Sequence, residues 1–340
     1  MNKVLSIVAA SVLLLTSCHR QEVDLPGSSQ GQPTDSTGAI VYTRLITNTL
    51  PYPDSYTREA VHRGRVERID YLTYDYAEGS GRERTNTAYI YLPYGYDTDT
   101  TQRYNTLYLV HGHYADAATT FEAEGGLQRR VLDHIFENNE TAPTIVVSPS
   151  YNYGQPTAAY ADADPYCKAL PRELVNDLIP LVESRYRTFL SSPDSIGIEQ
   201  SRGHRAIGGF SMGGVTTWYA FAETLPYFRY YLPISGDCWS LGRFAGMNRP
   251  TQTAAYLAER ASSYNGEFYI WAASGTSDSA YREILVQVEA MAERSDIFGL
   301  STMSFHEKTG ARHEFRPTVE YVYNALPFFF PPNHSDTRTE

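Results

Sequence analysis

Residues 204–222 read HRAIGGFSMGGVTTWYAFA, and this stretch constrains the chain more than any other. Ala206-Ile207-Gly208-Gly209 is a short apolar run of the kind that forms a buried strand, and from about Met212 the sequence becomes helix-compatible, with Val215, Trp218, Tyr219 and Phe221 along it. Between the two lies Gly209-Phe210-Ser211-Met212-Gly213, a G-x-S-x-G pattern. In that pattern the serine occupies a sharp strand-to-helix turn, which stands its Oγ at the top of a sheet. The flanking glycines let backbone pass close to the turn. Ser211 is therefore the predicted nucleophile, and the Met212 amide, at a helix start, is the predicted first donor to an oxyanion.

The rest of the chain supplies the sheet and helices that such a turn needs. Val66 to Tyr76 and Thr87 to Leu92 are strand-like and are separated by Glu78-Gly79-Ser80-Gly81, which predicts an antiparallel pair. Thr106 to Val110, Thr144 to Val147, Tyr231 to Ile234, Phe268 to Ala273 and Thr302 to Phe305 read as further strands. Helical spacing places helices around Leu127, Val131 and Ile135, around Leu174 to Val182 with a bend at Pro180, over Ala280 to Ala292, and after Pro317 through Val319, Val322 and Leu326. Ser191 to Gly203 is polar and reads as a surface excursion. Alternating short strands and helices predict an α/β fold with a mostly parallel central sheet, helices on both faces and an N-terminal antiparallel strand pair.

A serine hydroxyl needs a base, and the base needs a third group to hold its tautomer. In a fold of this kind the chain order is Ser, then Asp or Glu, then His. Of the nine histidines only His306, His313 and His334 lie far enough downstream. His334 falls in a polar tail, and His306 ends a strand-like run, where a strand-edge or surface role is expected. His313 lies in Thr309-Gly310-Ala311-Arg312-His313-Glu314-Phe315, a loop able to reach the top of the sheet, and is the predicted base. Asp278, in the loop after the strand Phe268 to Ala273, is the predicted acid. Asp237, after the preceding strand, is the second candidate, with pocket lining or a loop-holding hydrogen bond as its other role. The loop after the third strand supplies the second oxyanion amide in this fold, which points to the backbone N–H of His113 in His111-Gly112-His113-Tyr114. Packing is the expected role of the His111 and His113 side chains.

Charge and composition narrow the surroundings of this site. A formal net charge of −11, with no basic stripe, argues against a nucleic-acid partner. No metal-ligand cluster with recognisable spacing is present, so no cofactor is expected. The 28 tyrosines suit half-wet surfaces, sugar-binding faces among them. Trp218 and Trp271 read as core, whereas Trp239, in a loop after a strand, is placed to line an acyl or sugar pocket with Tyr114 and Asp237.

The N-terminus reads as a targeting segment. Lys3 supplies a positive region, Val4 to Leu15 is too short to span a bilayer, and Leu15-Thr16-Ser17-Cys18 resembles the bacterial lipobox, whose cysteine is lipidated. A plain signal peptide is the alternative. Asp24 to Gly38, rich in Gly, Ser, Gln, Pro and Thr, reads as a flexible tether. The expected organisation is a signal peptide over 1–17, Cys18 and a tether to 45, a catalytic domain over 46–332 and a polar tail over 333–340. The expected location is the outer membrane, through a lipid anchor. In an exported protein Cys167 and Cys238 are free to pair, although the sequence does not place them together.

Six stretches follow one another in a familiar order: Tyr91-Leu92-Pro93-Tyr94-Gly95-Tyr96, His111-Gly112, Glu173-Leu174-Val175-Asn176-Asp177-Leu178-Ile179-Pro180, Gly209-Phe210-Ser211-Met212-Gly213-Gly214, Gly275-Thr276-Ser277-Asp278 and His313-Glu314-Phe315. Together they resemble the esterase D-like family of α/β-hydrolases over about residues 66–330, and most closely the carbohydrate esterases that include feruloyl esterase domains of bacterial xylanases. The resemblance implies an α/β-hydrolase fold with Ser211 as nucleophile, Asp278 as acid, His313 as base, and Met212 and His113 as oxyanion donors. It further implies a serine esterase releasing ferulate or related hydroxycinnamates from plant cell-wall polysaccharide. An acetyl xylan or other acyl-sugar esterase uses the same machinery, and a non-catalytic glycan-binding lipoprotein is the alternative of a different class. His113-Tyr114 replaces the commoner His-Gly-Gly loop of the family, which bears on pocket shape.

Overall fold

The computed structural model describes residues 45–155 and 157–332. The predicted signal peptide, Cys18, most of the tether, His334 and the polar tail lie outside the described residues. Among the described residues no helix is long and apolar enough to cross a membrane.

Nine strands form one sheet: β1 (Ile46–Asn48), β2 (Arg65–Tyr74), β3 (Glu83–Leu92), β4 (Asn105–Val110), β5 (Thr144–Pro149), β6 (Arg205–Phe210), β7 (Tyr230–Ile234), β8 (Tyr269–Gly275) and β9 (Met303–Lys308). Their order is β1-β9-β8-β7-β6-β4-β5-β3-β2. From β1 to β5 every neighbouring pair is parallel, and β3 and β2 add the antiparallel pair at the far edge. The helices are α1 (Thr119–Glu137), α2 (Tyr160–Glu173), α3 (Ile179–Arg185), α4 (Ser195–Gln200), α5 (Met212–Glu223), α6 (Ala245–Asn248), α7 (Pro250–Ala261), α8 (Tyr281–Ala292) and α9 (Phe315–Phe329).

The period-two alternation of the strands divides the core into two layers. Tyr108, Val147, Ile207, Tyr231, Ile270 and Phe305 face one side, where α2, α3, α5, α7 and α8 cover them. Leu107, Val146, Leu232 and Trp271 face the other, against Val131 and Ile135 of α1 and Val322 and Leu326 of α9. Both faces of the central strands are buried, so those strands read as continuous apolar runs. At the end of the sheet away from the elbow, Arg205 is fully buried and makes a bidentate pair with Glu183, at 2.7 and 2.6 Å. Thr106 and Tyr108 also donate to that carboxylate, so the buried charges are satisfied.

Several elements depart from the sequence reading. The bend assigned to Pro180 is a π-helical turn over Leu174–Leu178, just before it. Pro180 lacks an N–H and cannot join an i→i−4 ladder, so the irregular turn takes up the defect. The polar stretch 191–203 contains α4, capped by Asp194, whose carboxylate accepts from the Gly197 amide at 2.8 Å. His306 is neither at an edge nor on the surface: β1 pairs outside β9, and His306 is buried with its ring stacked on Trp271 at 3.6 Å between centroids. Trp218 and Trp271 are both in the core. Cys167 and Cys238 are buried free thiols rather than a disulfide.

Candidate active site

The elbow forms as the sequence pattern requires. Ser211 sits between β6 and α5 with φ 57° and ψ −115°, a strained conformation for a residue with a side chain. Its amide is held by the Ile234 carbonyl at 2.9 Å. A Cβ on Gly213 would stand 2.2 Å from the Val110 carbonyl oxygen, and one on Gly209 would stand 2.6 Å from the Gly213 backbone. Only glycine lets β4, β6 and the first turn of α5 approach this closely. Met212 begins α5, where the first amides have no partner within the helix.

Two loops bring the other groups to Ser211. The loop after β8 carries Asp278 and the loop after β9 carries His313. They are clamped together: the Ser277 amide donates to the Ala311 carbonyl at 3.0 Å, the Gly310 amide donates to Thr276 Oγ1 at 2.9 Å, and Gly275 leaves no room for a Cβ against Ala311. Asp278 Oδ1 lies 2.7 Å from His313 Nδ1 and also accepts from the Ala280 amide at 2.7 Å. His313 Nε2 lies 2.9 Å from Ser211 Oγ. The carboxylate is almost entirely buried and the imidazole about one-third exposed, so the base is held from behind and open to the cavity in front.

Asp237 takes no part in this line. It is fully buried and accepts from Trp239 Nε1 at 2.6 Å and from the Met247 amide at 2.9 Å. It does not face the cavity, contrary to the pocket-lining expectation, and it anchors the loop after β7. Burial pushes its carboxyl up to about 6.

A cavity of about 110 Å³ opens over Ser211 and His313. Trp239 and Phe244 form one wall, with ring centroids 4.7 Å apart, and Tyr160, Ala280 and Glu283 contribute to the rest. Trp239 is thus both a lining residue and a buried, hydrogen-bonded one. Tyr114 does not line the cavity; it is exposed outside it at φ 61°, against the His113 ring. Tyr160, Phe244 and Glu283 escaped the sequence reading. Glu283 had a legible signal, since it follows Asp278 closely in the first turn of a helix on the same rim.

The loop after β4 abuts the elbow: a Cβ on Gly112 would be 3.5 Å from Ser211 Cβ. His111 packs beneath it, stacked on Tyr151, and burial lowers its imidazole to about 4, so it is neutral. The His113 ring packs against Tyr114 and Tyr160, with Nε2 3.0 Å from Thr157 Oγ1. Among the described residues no three His, Cys, Asp or Glu side chains are grouped to hold a metal ion.

A nine-stranded sheet with a serine on a strained strand–helix turn, backed by a His and an Asp from successive loops, defines a serine-type α/β-hydrolase. The Esterase family model, described as "Putative esterase", matches residues 80–319, and the chain belongs to that family. It is 36% identical over 288 residues to Endo-1,4-beta-xylanase Y of Acetivibrio thermocellus, a match that covers 82% of this chain and 24% of that protein. It is 26% identical over 192 residues to an Endo-1,4-beta-xylanase/feruloyl esterase of Xylanibacter ruminicola, covering 54% of this chain and 23% of that one. The chain therefore spans about a quarter of the curated relatives it matches. Among solved structures, the feruloyl esterase module from Clostridium thermocellum, as a serine-to-alanine mutant complexed with sinapinate, superposes with a TM-score of 0.73 at 32% identity, covering 87% of this chain and 99% of that one.

Proposed function

We propose that this chain is a serine esterase that releases hydroxycinnamoyl groups, ferulate among them, from plant cell-wall polysaccharide. The observation that carries the reading is the continuous hydrogen-bonded line from Asp278 through His313 to Ser211, at 2.7 and 2.9 Å, opening into a cavity walled by aromatic rings.

Ser211 Oγ attacks the ester carbonyl while His313 Nε2 takes its proton. Asp278 keeps Nδ1 protonated and stabilises the imidazolium. The amides of Met212 and His113 receive the negative charge on the carbonyl oxygen. His313 then protonates the departing sugar oxygen, leaving an acyl-enzyme on Ser211. Water, activated by the same imidazole, releases the acid and restores the serine. A flat aromatic acid gains by lying against Trp239 and Phe244, and an acetyl group is too small to do so.

The enzyme works outside the cytoplasm, held to the outer membrane by lipid on Cys18, where polysaccharide fragments meet it. The lipobox-like Leu15-Thr16-Ser17-Cys18 and the tether-like composition after it support this location.

Comparing kcat/KM for methyl ferulate, acetylated xylan and a short-chain nitrophenyl ester tests the reading, because specificity resides in that ratio. Methyl ferulate is expected to lead. A lead for acetylated xylan would replace the hydroxycinnamoyl reading with a deacetylase. Ser211→Ala should lose about 10⁴–10⁶ of the rate with an unchanged melting temperature; near-normal turnover would remove Ser211 from its role.

A further inference from the structure

Glu283 stands in the first turn of α8 and lines the same cavity as Ser211, His313, Trp239 and Phe244. Its side chain is half-buried, yet among the described residues none donates a hydrogen bond or an ion pair to it. The two neighbouring carboxylates are engaged: Asp278 with His313 and Ala280, Asp237 with Trp239 and Met247. The Glu283 carboxyl opens to the cavity rather than being sealed from solvent. A carboxyl with no donor among the described residues, facing the space where a substrate sits, is free to bond a group the substrate brings.

We propose that Glu283 reads the ring hydroxyl of the acyl group, exchanging a hydrogen bond with the phenol of a hydroxycinnamoyl ester whose ring lies along Trp239 and Phe244. The inference rests on the esterase reading above and names a specificity determinant within it. The chemistry is complementary in either protonation state. An ionised carboxyl accepts the phenolic hydrogen, and a protonated one both accepts and donates. Burial, with the neighbouring charge of Asp237, raises Glu283 to about 7, the nearby His313 acting in the opposite sense. Near neutrality the cavity thus holds a carboxyl held back from ionising, which suits a pocket that must also take an apolar ring.

A hydroxyl on the sugar side of the ester offers the same chemistry, so the test separates the two sources. Purified enzyme, E283L and E283Q are assayed on methyl p-coumarate, which has the ring hydroxyl, on methyl cinnamate, which lacks it, and on an arabinose ester of cinnamic acid, which has hydroxyls only on the sugar. The ratio of kcat/KM between two substrates on one preparation does not depend on the fraction folded. The wild-type enzyme is expected to favour p-coumarate over cinnamate by about tenfold, the value of one net hydrogen bond; E283L should bring the ratio to about one, and E283Q, which still donates and accepts, should keep most of it. A p-coumarate-to-cinnamate ratio that survives in E283L overturns the proposal. So does a loss in E283L confined to the arabinose ester, which would assign the carboxyl to the sugar. An enzyme that turns over acetyl esters but no cinnamoyl ester would overturn the hydroxycinnamoyl reading and this inference with it. Normal cinnamoyl turnover with an unaltered ratio overturns this inference alone.

Discussion

Replacing Asp278 by asparagine separates the two things its carboxylate does. One oxygen, Oδ1, accepts both from His313 Nδ1 and from the Ala280 amide, each at 2.7 Å. An asparagine that keeps its own Oδ1 in that place retains both acceptors and therefore the tautomer of His313. What it loses is the charge. Hydrogen bonds to a charged group contribute roughly 1.5–3 kcal/mol against about 0.5–1.5 kcal/mol for neutral ones, and the difference is felt most when the imidazolium forms. The Ala280 bond is the same before and during the reaction, so the fall comes from the His313 bond alone, where about 2–2.5 kcal/mol lost against the imidazolium corresponds to about a 10²-fold fall in kcat. Asp278→Ala removes the acceptor as well, frees the ring to rotate and should cost about 10⁴-fold. Asp237→Asn should stay within about tenfold, since it disturbs one hydrogen bond to Trp239 or Met247 and touches neither His313 nor Ser211. The assay is kcat on a nitrophenyl ester at pH 7.5, with melting temperatures to confirm folding. If Asp278→Asn were as inactive as Asp278→Ala, the shared-oxygen argument would be refuted. If Asp237→Asn lost more than Asp278→Asn in a folded enzyme, the acid would belong to the loop after β7.

Trp239→Ala should lower kcat/KM on methyl ferulate more than on an acetyl ester, by the roughly 0.5–1.5 kcal/mol of ring stacking, and should also lower the melting temperature because the ring is buried and bonded to Asp237; equal losses on both esters would count against an acyl-wall role. The carboxyl of Glu283 is raised in the folded protein from 4.5 to about 7, so the stability it contributes is fully present below pH 4.5 and is lost as pH rises through 7. Relative to E283Q, the wild-type melting temperature should therefore fall over that window, by the equivalent of about 1–2 kcal/mol once solvent screening of a partly exposed group is allowed for; parallel pH profiles would contradict the raised value. Cys18→Ala should release the protein from the membrane fraction or block its processing, and unchanged retention would remove the lipid anchor.

The sequence by itself determined the features that are local or ordered along the chain. The elbow is local: Gly209 and Gly213 must be glycine because backbone lies within 2.6 and 2.2 Å of where a side chain would begin, and Ser211 occupies the strained positive φ between them. The strands were legible because burial on both faces writes them as apolar runs bounded by turn residues. Chain order narrowed the base to His306, His313 and His334, and of these only His313 lies in a loop that follows a strand and so reaches the rim beside the elbow. The sequence ranked Asp278 ahead of Asp237, and tertiary structure decided between them. Both follow strands and both are buried, and no pattern in the sequence states that one loop clamps onto residues 310–311 while the other folds back around its own carboxylate. It also decided the cavity, whose walls come from α2, α5, α8 and the loops after β7, β8 and β9. Side chains 35 and 102 residues from their partners meet there because parallel strands deliver all their C-terminal loops to one edge. The exposure of Tyr114, the burial of His306 under β1 and the carboxyl of Glu283, without a donor among the described residues, belong to the same class. Each depends on what packs against a residue from elsewhere in the chain, and periodicity records only whether a neighbour exists, not which one.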